Sequence, residues 1–228
     1  MKKITALLLT IIFACSICFA QEDCNPYYSL QLGKKWTMAN YNGKDKYQGK
    51  QSFEILRLEE STTGLVAAVK LMSFDKKDKL VLEKEVEFVC ESGVVTLDIS
   101  QYVPAEMMDS FKDMDIKMEV DQIAFPEKLS VGQELPDGGV KMTMNGPMPM
   151  TLEVRVVDRR VMIEETMKVP AGSYDTFKIN SVTEINMMGK RESRQSEWIA
   201  IEVGLVRSES YDKSGQLKYY SILTEYSK

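Results

Sequence analysis

Residues 114–121 read MDIKMEVD, so apolar and charged side chains alternate over eight consecutive positions. Because successive side chains of a β-strand point to opposite faces of a sheet, this alternation predicts a strand with one buried face. The same period of two recurs in residues 82–88 and 152–156, and comparable runs, among them residues 30–41, 160–169 and 216–227, fill most of the chain. Short glycine-containing turns such as Asn42-Gly43 and Ser214-Gly215 separate the runs, as is typical between antiparallel strands. The sequence therefore predicts an all-β fold built on a curved antiparallel meander sheet.

One short helix and one hinge are expected to interrupt the strands. Pro104 suits the first turn of a helix, and Met107, Met108 and Phe111 follow it at helical spacing. We expect this helix to pack on the concave side of the sheet. Residues 126–139 contain two prolines and three glycines, and they are the best candidate for a hinge.

The first twenty residues have the pattern of a cleavable export signal. They read MKKITALLLTIIFACSICFA, which combines a basic start, an apolar run and a final small-x-small sequence. The apolar run is too short for a permanent membrane helix, so we expect cleavage after Ala20 and no integral membrane segment in the mature chain. Residues 1–20 are thus predicted to be a signal peptide, and residues 21–228 a single exported β domain that is periplasmic or secreted.

Composition argues against several classes of function. The chain contains no histidine, which removes histidine-based acid–base catalysis, Ser-His-Asp triads and histidine-ligated metal sites. Its net charge is −5, and cleavage would also remove Lys2 and Lys3, so nucleic acid and anionic membrane surfaces are disfavoured as partners. No pair of carboxylates stands out as the two catalytic acids of a glycosidase. We therefore expect a protein that is not an enzyme, with no catalytic residue, metal or cofactor.

Two cysteines, Cys24 and Cys90, remain after cleavage of the leader, which contains Cys15 and Cys18. In an oxidising compartment, two cysteines are best explained by one disulfide bond. This bond would tie the mature N-terminus to the end of a strand. Two buried free thiols are the alternative.

Methionine is unusually frequent, with fifteen residues in the chain. The densest stretch, residues 141–150, reads KMTMNGPMPM. Methionine side chains are flexible and polarizable, so they suit both the packing of an irregular core and the lining of an apolar ligand site. Thioethers converging without nitrogen ligands would also suit Cu(I), and this hypothesis uses Met142, Met144, Met148 and Met150.

These observations favour a non-enzymatic binding module for an apolar small molecule or lipid-like ligand. Its concave sheet face would be the binding surface. The predicted lining residues are Met107, Met108, Phe111, Met118, Met142, Met144, Met148 and Met150. A Cu(I)-binding protein and an envelope structural or interaction module are the alternatives.

Four short segments, in a fixed order, carry a resemblance to a known family. Residues 165–179 read ETMKVPAGSYDTFKI, and residues 203–211 read VGLVRSESY shortly after Trp198. Upstream lie LPDG at residues 135–138 and LGKKW at residues 32–36. In order and spacing these segments resemble those of TapB-like exported bacterial proteins, a domain family of unknown function.

The resemblance implies a curved antiparallel sheet wrapped around a helix, a half-barrel similar in shape to periplasmic lipoprotein carriers. Because the activity of the family is unassigned, the resemblance assigns no functional residues. The density of methionine departs from the family pattern, which keeps the Cu(I) hypothesis open.

Overall fold

Twelve β-strands account for the regular structure of the described residues. The computed structural model of the protein describes residues 24–60, 64–97, 115–121, 123–145, 149–187 and 189–228. The strands are β1 (Lys35–Asn42), β2 (Tyr47–Glu60), β3 (Gly64–Phe74), β4 (Leu80–Glu91), β5 (Val94–Leu97), β6 (Asp115–Asp121), β7 (Gly138–Asn145), β8 (Met150–Val169), β9 (Gly172–Asn186), β10 (Lys190–Ala200), β11 (Gly204–Tyr211) and β12 (Leu217–Ser227).

All twelve strands belong to one antiparallel sheet, in the order β5-β4-β3-β2-β1-β12-β11-β10-β9-β8-β7-β6. Strands that follow one another in the chain pair with each other from β1 to β5 and again from β6 to β12. The two halves join where β1 pairs with β12, with Trp36 opposite Tyr226 and Ala39 opposite Ile222. Strands β5 and β6 form the two edges, so the described sheet is not closed.

This sheet confirms the prediction of an all-β antiparallel fold. The predicted helix that starts at Pro104 falls outside the described residues and stays a prediction. Within the described ranges the structure contains no helix, and therefore none with the length and hydrophobicity needed to cross a membrane.

Strand β8 merges two runs that the sequence predicts separately, residues 152–156 and residues 160–169. Its pairing register with β9 shifts between Val157 and Arg160, which marks a β-bulge. Asp158 within this bulge has a φ of 54°, in the left-handed region that side chains other than glycine rarely adopt. The two predicted runs are therefore one strand with a local irregularity.

The bulge changes which residues of β8 face the inner side of the sheet. Before it, the even-numbered Leu152 is buried, whereas beyond it the odd-numbered Arg159 and Val161 are buried. An extra residue in one strand has this effect because side chains alternate between the faces of a sheet. The irregularity thereby places a charged residue, Arg159, on the apolar inner face.

Two irregular segments, residues 24–34 and 123–137, pack against the inner face, and we call them the floor segments. The backbone N–H of Ile55 donates to the carbonyl oxygen of Lys34 (3.0 Å), which ties the first segment to β2. A disulfide between Cys24 and Cys90 ties the same segment to the end of β4, with the two Cα atoms 6.1 Å apart. The predicted disulfide is confirmed.

Asn25 connects the two floor segments to each other and to the β4–β5 turn. Its side chain is fully buried. Its Nδ2 donates hydrogen bonds to the carbonyl oxygens of Gly93 (2.7 Å) and Phe125 (2.9 Å). Its Oδ1 accepts hydrogen bonds from the backbone N–H groups of Tyr27 and Tyr28. Every polar atom of this buried amide is therefore satisfied, as buried polar groups require.

The inner face carries two clusters of buried apolar residues, and Tyr28 packs against both. The first joins the first floor segment to strands β2 to β5 and comprises Leu30, Ile55, Leu65, Ala67, Val69, Leu71, Val86, Phe88, Cys90 and Val95. The second joins the floor segments to β8, β9 and β10 and comprises Tyr27, Phe125, Leu129, Leu135, Val161, Ile179 and Ile199.

The expectation of a hinge in residues 126–139 is wrong. Leu129 and Leu135 in this stretch are buried in the second cluster. The backbone N–H of Leu135 donates to the carbonyl oxygen of Arg159 (2.9 Å), and the N–H of Gly132 donates to that of Val161 (2.8 Å). Prolines and glycines here shape a bound segment that runs along β8, so they do not mark a flexible joint.

Candidate functional site

The inner face of the sheet lines a cavity of about 990 Å³ that is partly open to solvent. Ten of the twelve strands contribute to its wall, and the floor segments close one end. The apolar and aromatic lining residues are Tyr28, Leu30, Trp36, Met38, Phe53, Ile55, Leu71, Phe88, Ile123, Phe125, Val140, Leu152, Val154, Val156, Ile185, Met187, Val203 and Leu205. The remaining lining residues are Ser29, Lys34, Gln51, Gly139, Arg159, Ser181, Thr183, Gly189, Lys190, Arg191, Gln195, Glu197, Ser208 and Ser221.

Aromatic rings form the wall nearest the floor. Trp36 stacks on Phe53 with the ring centroids 4.9 Å apart, and Phe88 lies 6.2 Å from Trp36. Tyr28 contacts Phe125 at 5.1 Å across the two floor segments. Such rings combine a large apolar surface with few rotatable bonds, so this part of the cavity has a defined shape.

Arg159 is a buried charged residue at the base of this cavity, with only 2% of its surface exposed. Its Nη1 donates to the carbonyl oxygens of Ala124 (3.0 Å) and Pro136 (2.7 Å), both in the second floor segment. Its guanidinium carbon lies 5.1 Å from the centre of the Phe125 ring. Its Nη2 is buried and has no hydrogen-bond partner within the described part of the chain.

Glu197 is the acidic residue of the lining, and its charge has the largest electrostatic effect on Arg159. It lies on β10 directly opposite Ile179 of the second cluster. Burial raises the pKa of Glu197, and the positive charge of Arg159 opposes that rise. Burial likewise lowers the pKa of Arg159, and Glu197 is the strongest of the groups that counteract this. Each of the two groups thus weakens the effect of burial on the other.

The other charged residues of the lining are all basic. Lys34 is buried in the first floor segment, where its Nζ donates to the carbonyl oxygens of Ser29 (2.9 Å) and Glu202 (2.7 Å). Lys190 and Arg191 lie at the start of β10, at the end of the cavity away from the floor. Lys190 forms ion pairs on its exposed side with Glu184 (2.9 Å) and Glu192 (3.0 Å).

The structure brings some of the predicted methionines together on the inner face. Met142 and Met144 on β7 are completely buried, and Met144 lies opposite Met150 of β8. Met142 lies between Leu152 of β8 and position 118 of β6, which is also a methionine. These residues are neighbours of the cavity wall, since Val140 and Leu152 on the same face line the cavity.

The four remaining predicted lining residues, Met107, Met108, Phe111 and Met148, lie outside the described residues. Neither Met142, Met144 nor Met150 is among the residues that line the cavity. The proposed ligand-binding role of the methionines therefore stays a prediction, and so does the Cu(I) hypothesis. In the described part of the chain, His, Cys, Asp and Glu residues form no group of three that could hold a metal ion.

Sequence reasoning missed Arg159 and Glu197 as site residues. The charged triplet Asp158-Arg159-Arg160, set between two apolar runs, is the signal that was present. The separate runs 152–156 and 160–169 indicate a break between two strands at this point, whereas a bulge within one strand turns the middle residue of the triplet inward. No local sequence pattern identifies Glu197. A glutamate in a strand is ordinary on the solvent side, and it becomes notable only when the structure shows that it lines the cavity.

Two crystal structures share this fold over 90% of the chain and over the full length of each neighbour. One is a protein of Bacteroides fragilis described as exported and YmcC-like in fold, with 21% identity and a TM-score of 0.71. The other is a protein of Parabacteroides distasonis described as a lipoprotein, with 20% identity and a TM-score of 0.72. None of the curated proteins compared matches the chain in sequence.

The family model that matches the chain covers nearly all of the sheet. It is described as DUF3108-like and matches residues 31–223, from the first floor segment to β12. This match does not confirm the narrower resemblance to TapB-like proteins. The chain belongs to the DUF3108-like family.

Proposed function

We propose that this protein is an exported, non-enzymatic binding module that holds an apolar or lipid-like ligand in the cavity of its sheet. The observation that carries the proposal is a space of about 990 Å³ lined mainly by apolar and aromatic side chains. Ligand sites typically measure roughly 300–1,000 Å³, so this space is large enough for a lipid chain.

Packing energetics support a ligand of this kind. Protein interiors are normally close-packed, and an unfilled void forfeits the dispersion contacts of the side chains around it. An alkyl chain in this space would regain those contacts and gain about 0.8 kcal/mol for each methylene removed from water. The polar lining residues Ser181, Thr183 and Gln195 lie on the wall of β9 and β10, where they could orient one end of a ligand.

Export is the second part of the proposal. It is supported by the leader-like residues 1–20 and by the descriptions of the two structural neighbours as an exported protein and a lipoprotein. We further propose that residues 21–228 form one domain shaped as a half-barrel, like periplasmic lipoprotein carriers. An apolar ligand suits this location, because such carriers move lipidic cargo through an aqueous space.

Native mass spectrometry of the protein purified after export tests the proposal. We expect the wild-type protein to retain apolar molecules, and the cavity-filling variant Val154→Trp to retain about tenfold less because the indole occupies ligand space. Arg155→Trp is the matched control, since its side chain is exposed on the other face of the same strand. Equal retention by the wild type and Val154→Trp would contradict the proposal.

A further inference from the structure

Arg159 is an unusual residue to find in the wall of an apolar cavity. Burying an unpaired charge is costly, so buried guanidinium groups normally have hydrogen-bond acceptors for their donors. Nη1 of Arg159 has two carbonyl acceptors, whereas Nη2 has none among the described residues. A residue of the cavity lining therefore carries a buried donor atom that no acceptor among the described residues satisfies.

The position of Arg159 is maintained by several independent contacts. The bulge at Asp158 turns it inward, the second floor segment accepts its Nη1 hydrogens, and the Phe125 ring lies against its guanidinium. Asn25 in turn fixes the backbone of Phe125, because its Nδ2 donates a 2.9 Å hydrogen bond to the Phe125 carbonyl oxygen. A guanidinium held in this way is preorganised for a ligand and loses little entropy on binding.

The described lining of the cavity is positively charged as a whole. Lys34, Arg159, Lys190 and Arg191 are basic, and Glu197 is the one acidic residue among the described residues that line the cavity. This excess contrasts with the net charge of −5 for the chain. A cationic lining in an acidic protein favours a ligand that carries negative charge.

We propose that the ligand is an anionic amphiphile, whose carboxylate or phosphate head group binds Arg159 at the base of the cavity while its apolar chain lies along the aromatic and aliphatic wall. This inference rests on the proposed function and specifies the ligand class of the same cavity. Arg159 acts as the head-group donor through its guanidinium, and Glu197, which lines the same cavity, is the internal carboxylate that competes with the ligand for it.

Binding of matched probes to the full mature chain tests this assignment. Oleate and oleyl alcohol share one alkyl chain and differ in the charge of the head group. We expect the wild-type protein to prefer oleate by about 10- to 100-fold, the range of a charge-assisted hydrogen bond in a desolvated site. Arg159→Gln should remove this preference, so that the ratio of oleate affinity to oleyl alcohol affinity falls towards one.

A second variant keeps the test informative if Arg159→Gln does not fold. Glu197→Gln has nearly the same shape but cannot carry a negative charge, so it should raise the ratio of oleate affinity to oleyl alcohol affinity at a pH where Glu197 of the wild type is ionised. Monooleoyl phosphatidic acid, tested beside oleate, distinguishes the two sources of anionic head group. The probe whose affinity falls more in Arg159→Gln identifies the ligand class, which is a fatty acid if the probe is oleate and a phospholipid if it is monooleoyl phosphatidic acid.

The outcomes separate this inference from the proposed function. Equal affinity of the wild-type protein for oleate and oleyl alcohol, or no response of oleate binding to Glu197→Gln, would overturn the head-group assignment while the apolar binding site stands. Failure to bind any of the three probes would overturn both proposals.

Discussion

Individual buried polar residues hold the floor segments in place through their hydrogen bonds. Asn25 is the clearest case, because one amide joins three parts of the chain through four hydrogen bonds. Its removal would leave two carbonyl oxygens and two N–H groups without their partner in a buried setting. Unsatisfied groups of this kind are more costly than the net gain of an average hydrogen bond.

Asn25→Ala should lower the free energy of unfolding by about 3 kcal/mol, because several buried groups lose their partner at once. Urea denaturation followed by tryptophan fluorescence measures the change. Asn42→Ala is the control, since Asn42 Oδ1 accepts from the N–H groups of Lys44 and Lys46 in an exposed turn where water can replace it. A similar loss of stability in both variants would show that the burial of Asn25 is unimportant.

Glu197 makes stability depend on pH in a defined direction. Burial raises the pKa of this carboxyl in the folded state above its ordinary value of 4.5. Between those two values the folded state binds more protons than the unfolded state, so the free energy of unfolding falls as the pH rises through this window. Deprotonated Glu197 therefore opposes folding at neutral pH, apart from its attraction to Arg159.

Glu197→Gln should flatten this dependence, so that its stability relative to the wild type increases as the pH is raised from about 4.5 to 7. Urea denaturation of both proteins at several pH values measures the difference. Glu164→Gln, on an exposed part of β8, is the matched substitution. Parallel pH profiles for the wild type and Glu197→Gln would count against a raised pKa.

The residues of the candidate site were harder to predict than the fold. Alternation reports which face of a strand is apolar, but it cannot show whether that face surrounds empty space. Cys24 and Cys90 were predictable because only one pairing exists for two cysteines. Arg159 was not, because its inward orientation depends on a bulge and on a floor segment that approaches from elsewhere in the chain.

At the scale of elements, most strands were predictable because their signal is local. The run of alternating residues 216–227, for example, matches β12 (Leu217–Ser227). The run predicted for residues 30–41 begins too early, since β1 starts at Lys35. Residues before it belong to the floor, where Gly33 has a φ of 81° and its N–H bonds to Ile55. Contacts distant in sequence determine that boundary.

The bulge of β8 gives a prediction about Asp158. A β-branched side chain is poorly tolerated at its φ of 54°, so Asp158→Val should destabilise the protein by about 1–2 kcal/mol. Asp158→Gly should be close to neutral, because glycine adopts this conformation without steric cost. Thermal and urea denaturation measure both variants. Lys168→Val, an exposed position of the same strand, is the control. Equal effects of valine at positions 158 and 168 would mean that the bulge tolerates any side chain.

At the scale of the whole molecule, the disulfide connects the floor to the sheet. Cys24 and Cys90 are 66 residues apart, and the chain-entropy model assigns a crosslink of this length about 4 kcal/mol. Replacing both cysteines by serine should therefore lower the free energy of unfolding by up to about this amount. Denaturation with and without a thiol reductant provides the measurement.

The reductant should weaken the wild-type protein and leave the double serine variant unchanged. Insensitivity of the wild type to reductant would show that the bond is absent or contributes nothing. Because Cys24 precedes Asn25 directly, we also expect the reduced protein to bind apolar probes more weakly, since the base of the cavity loses its anchor.

The pairing of β1 with β12 determines when folding can be completed. The hairpins formed by strands β1 to β5 can fold as soon as each turn has been synthesised. The pairing of β1 with β12, in contrast, needs a strand that is synthesised some 180 residues later. Until β12 arrives, β1 has an unpaired edge in the middle of the future sheet, and the cavity has no second half. Any foreign strand that reaches this edge before β12 does would compete with the native pairing, so the chain is most exposed to misassembly in the interval before its last strand is delivered.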